Sequence, residues 1–140
     1  MDQDIQNGSG NEQANQVWHT VNTLASGGYY QYSLHDLTYN IFNDTFQVSF
    51  SGGRVRGFIV KNNSEDVGAN IMIAFTGGNA FNNPTNSADS QIPVYPKSAV
   101  AFNNPIEGWS IGNTNHIFYI HDTAGSGVNF EIGIIGTSGG

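Results

Sequence analysis

The chain has 140 residues, no cysteine, a formal net charge of −7 and only 11% charged residues, where about 25% is typical of a soluble domain. That length suits a single domain with one core, and the lack of cysteine excludes disulfides and thiolate chemistry. A total of 4 lysine and arginine residues argues against nucleic acid or an anionic membrane as a partner, because both bind clustered basic residues.

The first 16 residues are almost entirely polar, with Ile5 and Ala14 the only apolar residues after Met1. Such a composition cannot build a core, so we predict an N-terminal arm over residues 1–16 and a β domain over residues 17–140. The start of the chain lacks the basic and apolar regions of a secretory signal, and no apolar run in the sequence approaches the roughly 20 residues that span a bilayer. We therefore expect synthesis and folding in the cytoplasm.

From residue 17 onward, short apolar stretches are separated by turns rich in Gly, Asn, Ser and Pro. Apolar and polar residues alternate in several stretches, as at Phe46, Val48 and Phe50, which is typical of strands with one buried face. The single helix-like stretch, residues 34–40, is too short and too rich in poor helix formers to support a helix. The predicted strands cover residues 17–24, 29–34, 46–50, 55–62, 70–76, 92–95, 99–102, 116–121 and 128–135.

Many short strands at regular spacing indicate a sandwich or a barrel. We predict an all-β fold, an antiparallel β-sandwich that is jelly-roll-like, with a polar N-terminal arm. The long loop at residues 77–91 is expected either to cross from one sheet to the other or to form an exposed contact loop. Most aromatic residues occupy strand positions, and those expected in the core are Phe46, Phe50, Phe58, Phe75, Phe102, Phe118 and Phe130.

The sequence carries none of the motifs that mark nucleophilic catalysis, calcium loops or nucleotide binding. Its histidines lack metal-ligand spacing, and His116 and His121, five apart in the sequence, fall on opposite faces of a strand. We expect all histidines at strand ends or on the surface, with backbone hydrogen-bond partners. The predictions are therefore no catalytic residue, no cofactor and no metal, with an enzyme that holds a metal at His116 or His121 as an open alternative.

The order of turns and strands in the second half is similar to that of a known class of proteins. The sequence reads VKNNS at residues 60–64, ANIMI at 69–73, IPVYP at 92–96 and EGWSI at 107–111. Over residues 58–135 this resembles the small structural β-sandwiches of tailed bacteriophages, in which a K-N-x-S turn precedes a strand, an I-P turn and closing strands. The resemblance implies a jelly-roll-like capsid decoration (cement) protein, commonly a trimer, whose flexible N-terminal arms bridge neighbouring capsid subunits.

We therefore expect a non-enzymatic virion structural protein on the outer capsid surface, whose partners are the major capsid protein and its own copies in a homotrimer. A surface almost free of lysine agrees, since lysine is depleted in interface cores. The alternative is a carbohydrate-binding module or a receptor-binding, tail-associated β-sandwich, in which Trp109, Tyr95 and the Asn-rich loop at 79–86 bind sugars. The predicted partner contacts are Asp4, Ile5, Gln6 and Asn7 in the arm and the strand-end aromatics Trp18 and Trp109.

Overall fold

The computed structural model describes residues 6–7, 13–85, 90–122 and 127–138, and within these ranges all regular secondary structure is β-strand. None of the described residues forms a helix long and apolar enough to span a membrane. The strands are β1 (Gln6–Asn7), β2 (Gln13–Ala14), β3 (Gln16–Leu24), β4 (Tyr29–Ser33), β5 (Leu37–Ile41), β6 (Asp44–Val48), β7 (Arg54–Asn62), β8 (Ile71–Ala74), β9 (Gln91–Val94), β10 (Ala99–Asn103), β11 (Trp109–Ser110), β12 (Ile117–Asp122) and β13 (Val128–Thr137).

Two antiparallel sheets pack against each other. The large sheet has the order β10-β7-β13-β3, with β11 also pairing with β7, and the small sheet has the order β4-β12-β8-β9. A β5–β6 hairpin and a parallel β1–β2 pair lie outside these sheets. The prediction of an all-β, antiparallel β-sandwich is confirmed, while the jelly-roll connectivity and the boundary between residues 16 and 17 stay predictions.

The core lies between the two sheets, and the large apolar residues at alternate positions of two interior strands predict which side chains face it. In β8, Ile71 and Ile73 are fully buried, and the next alternate residue, Phe75, is also buried. In β13, Phe130, Ile132 and Ile134 all point inward. Since side chains of a strand alternate between its faces, the intervening residues of β13 form part of the outer surface of the large sheet.

The single helix-like stretch of the sequence, residues 34–40, contributes to a strand. Residues 37–41 form β5, which pairs with β6 from Leu37 opposite Val48 to Ile41 opposite Asp44. The expectation that Phe46 lies in the core is wrong, because its side chain is 43% exposed. The reason is geometric: Leu37 and Val48 are buried, and beyond them Tyr39 still packs against the core, whereas Phe46 lies on the solvent side of Tyr39.

The loop at residues 77–91 does not cross between the sheets. It joins β8 to β9, which are neighbours in the small sheet. Its described part turns back into the core at Phe81, a buried ring whose backbone N–H donates to the Ile117 carbonyl at 2.7 Å. The apolar pair Ala80–Phe81 therefore fixes this loop to the sandwich, which composition alone did not indicate.

The turn after β7 is held by a buried amide. Asn62 is fully buried, and its Nδ2 donates to the carbonyls of Ala69 at 2.7 Å and Val94 at 2.9 Å. Its Oδ1 accepts from the Ser64 N–H at 2.9 Å. One side chain thus joins β7, its following turn and the end of β9, which explains why asparagine follows lysine in this turn.

Candidate functional site

The outer face of the large sheet carries an apolar depression, which we call the outer groove. On β7, Phe58 and Val60 are buried, whereas Ile59 between them points outward and is 46% exposed. The groove has a volume of about 340 Å³. Its lining is almost entirely apolar and consists of Val17, Gly57, Phe58, Ile59, Ala101, Phe102, Asn103, Gly133, Ile134 and Ile135.

Glycines on two central strands make this face concave. In the pairing register, Gly133 lies opposite Ile59, and Gly57 lies opposite Ile135. A Cβ at Gly133 would meet Cγ2 of Ile59 at 3.3 Å, so the absence of a side chain there keeps the floor open. Val17, 64% exposed, and Ile59 form raised walls. The groove therefore presents exposed apolar side chains on a solvent-facing side of the sheet, where polar side chains are usual. Such a patch is typical of interaction sites.

Charged side chains border the outer groove along one row of the sheet. Glu131 lies opposite Lys61 on β7, and its Oε1 is 3.3 Å from Nε2 of His19. The Nδ2 of Asn63 donates to Oε2 of Glu131 at 2.9 Å. Hydrogen bonds from Asn63 and then His19, with the nearby charge of Lys61, lower the pKa of Glu131. An ionised carboxylate and a lysine thus mark one border of an otherwise apolar surface.

The β5–β6 hairpin forms a second exposed surface, which we call the finger (residues 37–48). One face of it is mostly apolar, from the buried pair Leu37 and Val48 to Ile41, which lies opposite Asp44. Between them lie Tyr39 and Phe46, whose rings stack with centroids 5.4 Å apart. The opposite face is polar, as at Asn40 and Thr45. The finger is therefore an amphipathic hairpin whose apolar face extends beyond the core that it could help to bury.

The tip of the finger holds an aromatic ring in an unfavourable backbone conformation. Phe42 and Asn43 have φ angles of 51° and 69°, the pair of positive values that a type I′ turn requires. Asparagine tolerates this region, but a bulky residue there is uncommon. The Phe42 side chain is also 95% exposed. Neither folding stability nor solubility favours phenylalanine at this position.

A third surface, which we call the polar cleft, lies where β7, β11 and the loop after β8 meet. Its volume is about 430 Å³. Nη1 of Arg54 donates to the Glu107 carbonyl at 3.2 Å, and Nδ2 of Asn115 donates to Oδ1 of Asn83 at 2.9 Å. These bonds orient polar side chains around an indole ring. The lining residues are Arg54, Asn82, Asn83, Asn104, Glu107, Gly108, Trp109 and Ser110.

The structure treats the two predicted tryptophan contacts differently. Trp18 is a core residue, 2% exposed, whose Nε1–H donates to the Thr38 carbonyl at 3.0 Å. Its ring therefore has no exposed surface for a partner in this structure. Trp109 is half-buried and lines the polar cleft, with its ring packed edge-on against Phe81 at 6.1 Å. The indole hydrogen bond across β3 and β5 is the tertiary contact that sequence reasoning missed for Trp18.

Gln6 and Asn7, two of the four predicted arm contacts, lie in β1, where they pair with Gln13 and Ala14 of β2. Asp4 and Ile5 lie outside the described residues. Closer to the sheet, the Asn15 N–H donates to a carbonyl of β13 at 3.0 Å. The contact role of the arm stays a prediction.

The residues predicted to bind sugars are only partly brought together. Asn82 and Asn83, from the Asn-rich loop, lie in the polar cleft with Trp109. Tyr95 does not, because it lines a separate depression with Glu65 and Lys97. The structure thus selects one half of the predicted sugar-binding set.

Two histidines that are distant in sequence form a stacked pair. The rings of His35 and His116 are 4.2 Å apart and nearly parallel, at 8°. Nε2 of His35 and Nδ1 of His116 are buried and have no hydrogen-bond partner among the described residues, whereas His35 has the expected backbone partner at Gly112. Burial and then the charge of His116 lower the pKa of His35, against a backbone hydrogen bond at Gly112. Within the described chain, no three His, Cys, Asp or Glu side chains form a metal-binding group.

Comparison with known proteins adds no relative. No protein-family model matches the chain, and none of the curated proteins matches it significantly. The functional argument therefore rests on the outer groove, the finger and the polar cleft.

Proposed function

We propose that this chain is a non-enzymatic structural protein of a bacteriophage virion, a decoration or cement protein that reinforces the outer surface of the capsid. The observation that carries this proposal is the outer groove. It exposes Ile59 and Val17 on a sheet face that a free monomer would cover with polar side chains. A protein whose surface is built for contact with other protein has a reason to keep such a face.

Charge supports a position on the outside of a shell. The net charge is −7, with 4 lysine and arginine residues against 11 acidic ones, so packaged nucleic acid repels this chain. Few long basic side chains also means that little rotamer entropy is lost when the surface is buried. Many weak contacts of this kind give strong attachment when several copies bind together.

The partners in this proposal are the major capsid protein and further copies of the chain in a homotrimer. The N-terminal arm, with Asp4, Ile5, Gln6 and Asn7, is assigned to the capsid protein, because a polar segment can reach across a subunit junction. The β domain is assigned to contacts among copies. Neither role requires a catalytic residue, a cofactor or a metal.

The test is co-sedimentation with shells assembled from the major capsid protein of the same genome. The full chain is compared with a variant that lacks residues 1–12. The deletion stops there because Ala14 is buried and Asn15 donates to β13, so the sandwich is retained. We expect saturable binding of the full chain and a loss of at least tenfold in affinity on deletion. Failure of the full chain to sediment with shells at 100-fold molar excess contradicts the proposal, and a deletion variant that binds normally contradicts the role of the arm.

A second candidate function, saccharide binding, is favoured by the polar cleft. Protein sites for sugars combine an aromatic ring with fixed hydrogen-bonding groups. The cleft places Trp109 among Asn82, Asn83 and Arg54, and Glu107 adds a carboxylate at its edge. The volume of about 430 Å³ lies in the range of small-ligand sites.

A glycan array followed by calorimetry with the strongest binder tests this second candidate. Asn82→Ala and Glu107→Gln change cleft side chains without removing core volume, and each is expected to weaken binding about tenfold, which is the loss of one hydrogen bond to a buried ligand. Tyr95→Ala, which removes an exposed ring outside the cleft, is the matched control and should have no effect. An array with no binder, or equal losses in all three variants, rejects the cleft as a sugar site.

A further inference from the structure

Contacts within one copy of the chain do not explain why the exposed tip of the finger carries a phenylalanine. Phe42 adopts a φ of 51°, a conformation that is costly for a bulky side chain, and its ring lies 95% in solvent. Replacement by asparagine or glycine would relieve the backbone and the exposure together. A residue that is unfavourable on both counts is expected where a partner binds the ring.

We propose that the partner is a second copy of this chain, and that the tip of the finger, Ile41 to Asp44, inserts Phe42 into the outer groove of that copy. This inference deepens the proposed function, since it names the contact through which copies assemble, and it rests on that function only for the assignment to a shell. The contact itself forms between purified copies in solution.

Size and chemistry match between the finger tip and the outer groove. A cavity of about 150 Å³ accommodates a benzene molecule, so the groove, at about 340 Å³, holds the ring of Phe42 with Ile41 beside it. Both partners are apolar: Ile41 is 45% exposed next to Phe42, and Gly57 and Gly133 leave the floor of the groove without side chains. The tip extends about 10 Å beyond Tyr39, at roughly 3.3 Å per residue, so it can reach a recessed surface.

Charge also matches between the two surfaces. Asp44 lies two residues from Phe42 in the tip, and it is exposed. Lys61 lies two residues from Ile59 on the outward face of β7, at the border of the groove, and it is exposed too. When Phe42 enters the groove, Asp44 comes to the border that holds Lys61 opposite Glu131, and it pairs there with Lys61. Lys61 is one of 4 basic residues in the chain, so its place at this border is a specific feature of the groove.

The symmetry of the assembly follows from where the two surfaces lie. The finger belongs to a separate hairpin, whereas the groove lies across β10, β7 and β13 of the large sheet. One copy therefore contacts the next through unlike surfaces, a heterologous contact that leads either to a closed ring or to an open chain. Each copy uses one finger and one groove, so the contact repeats around the assembly.

The first test removes the Phe42 ring and replaces it with a residue that better tolerates the backbone conformation there. We would measure self-association of the full chain by sedimentation equilibrium and light scattering, from 1 to 500 µM, together with the thermal midpoint. Phe42→Asn should weaken association about tenfold to a hundredfold, as expected for removing one buried aromatic ring, and should leave the midpoint unchanged or higher. The matched control is Val67→Asn, because Val67 is also fully exposed but lies in the turn after β7. It should leave association unchanged.

The second test changes the groove. Ala101 is exposed on β10 and lines the groove, so Ala101→Glu places a carboxylate against the incoming ring without disturbing the core and should abolish association. Thr23→Glu on the same outer face, outside the groove, is its control. Asp44→Lys and Lys61→Glu should each weaken association about two- to fivefold, and the double variant should restore it.

The outcomes separate this inference from the proposed function. A full chain that stays monomeric at 500 µM, or a Phe42→Asn variant that associates normally, overturns the contact between copies. If the monomeric chain nevertheless binds shells through Phe42, the partner of the finger is the capsid protein and not a second copy of this chain. If copies associate through the groove but do not bind shells, the contact stands and the capsid function fails.

Discussion

The buried amide of Asn62 offers the sharpest test of how this sandwich is held together. Its Nδ2 donates to the carbonyls of Ala69 and Val94, and its Oδ1 accepts from the Ser64 N–H. The side chain is fully buried, so water cannot replace these bonds in the native state. Asn62→Ala removes all three bonds and leaves their backbone partners in the interior.

The expected loss follows from these contacts. An unsatisfied buried polar group costs about 1–3 kcal/mol, and carbonyls that keep another partner fall at the low end of this range. Three such groups give a loss of about 3–5 kcal/mol in the free energy of unfolding. With an unfolding entropy of about 0.3 kcal/mol/K for a chain of this length, the thermal midpoint should fall by about 10–17 °C. Asn62→Asp, which directs a carboxylate at the carbonyls of Ala69 and Val94, should destabilise at least as much.

Urea and thermal unfolding followed by circular dichroism measure this loss. The matched control is Asn40→Ala, because the Oδ1 of Asn40 accepts one bond from Thr45 at 2.8 Å in an exposed setting; that variant should lose only about 0.5 kcal/mol. A loss under about 1 kcal/mol for Asn62→Ala would refute the reasoning, since it would mean that the turn does not depend on its buried amide.

Three further predictions concern single contacts. As pH falls below 6.5, the ordinary pKa of histidine, the free energy of unfolding should decrease, because the lowered pKa of His35 means that the unfolded chain binds a proton more readily than the folded one. Thermal midpoints from pH 7.5 to 4.5 measure this decrease. His35→Phe, which keeps a ring against His116, should make the decrease smaller. Gly53→Ala should lower the free energy of unfolding by several kcal/mol, because the added Cβ would overlap the Thr137 carbonyl. Chemical denaturation measures this loss. Trp18→Phe should lower the free energy of unfolding, measured in urea, by about 1–2 kcal/mol, because the indole hydrogen bond is lost. Trp109→Phe should lower it less, and an equal loss would contradict the distinction between a core ring and a cleft ring.

Strand prediction succeeded where one rule decided the structure. Ile73 in β8 and Ile132 in β13 are fully buried, as expected for the large apolar residues at alternate positions of these two strands. The β5–β6 hairpin was only half predicted, because its two-residue turn is Phe42-Asn43 rather than the Asn-Gly that marks type I′ turns. The same unusual turn is the basis of the proposed finger contact, so a local rule was broken where we place a binding surface.

The candidate surfaces were less predictable than the strands. Trp109 and the Asn-rich loop were each identified as candidates, but only the pairing of β11 with β7 and the return of the loop at Phe81 bring them into one cleft. The outer groove was not predicted at all. Its signal was present in the glycines at 57 and 133, but which residues face one another across neighbouring strands depends on register.

The sequence by itself determined the class of this protein: an all-β chain without thiol chemistry, poor in charge, with alternating strands and a polar N-terminal segment. These properties follow from composition and from the two-residue period of a strand, which are local. Only the tertiary structure decided that Trp18 is enclosed, that His35 meets His116, and that Gly57 and Gly133 open a groove on the outer face. Such contacts join residues far apart in the chain, and they depend on the register between strands and the packing of one sheet on the other, which no short stretch of sequence encodes.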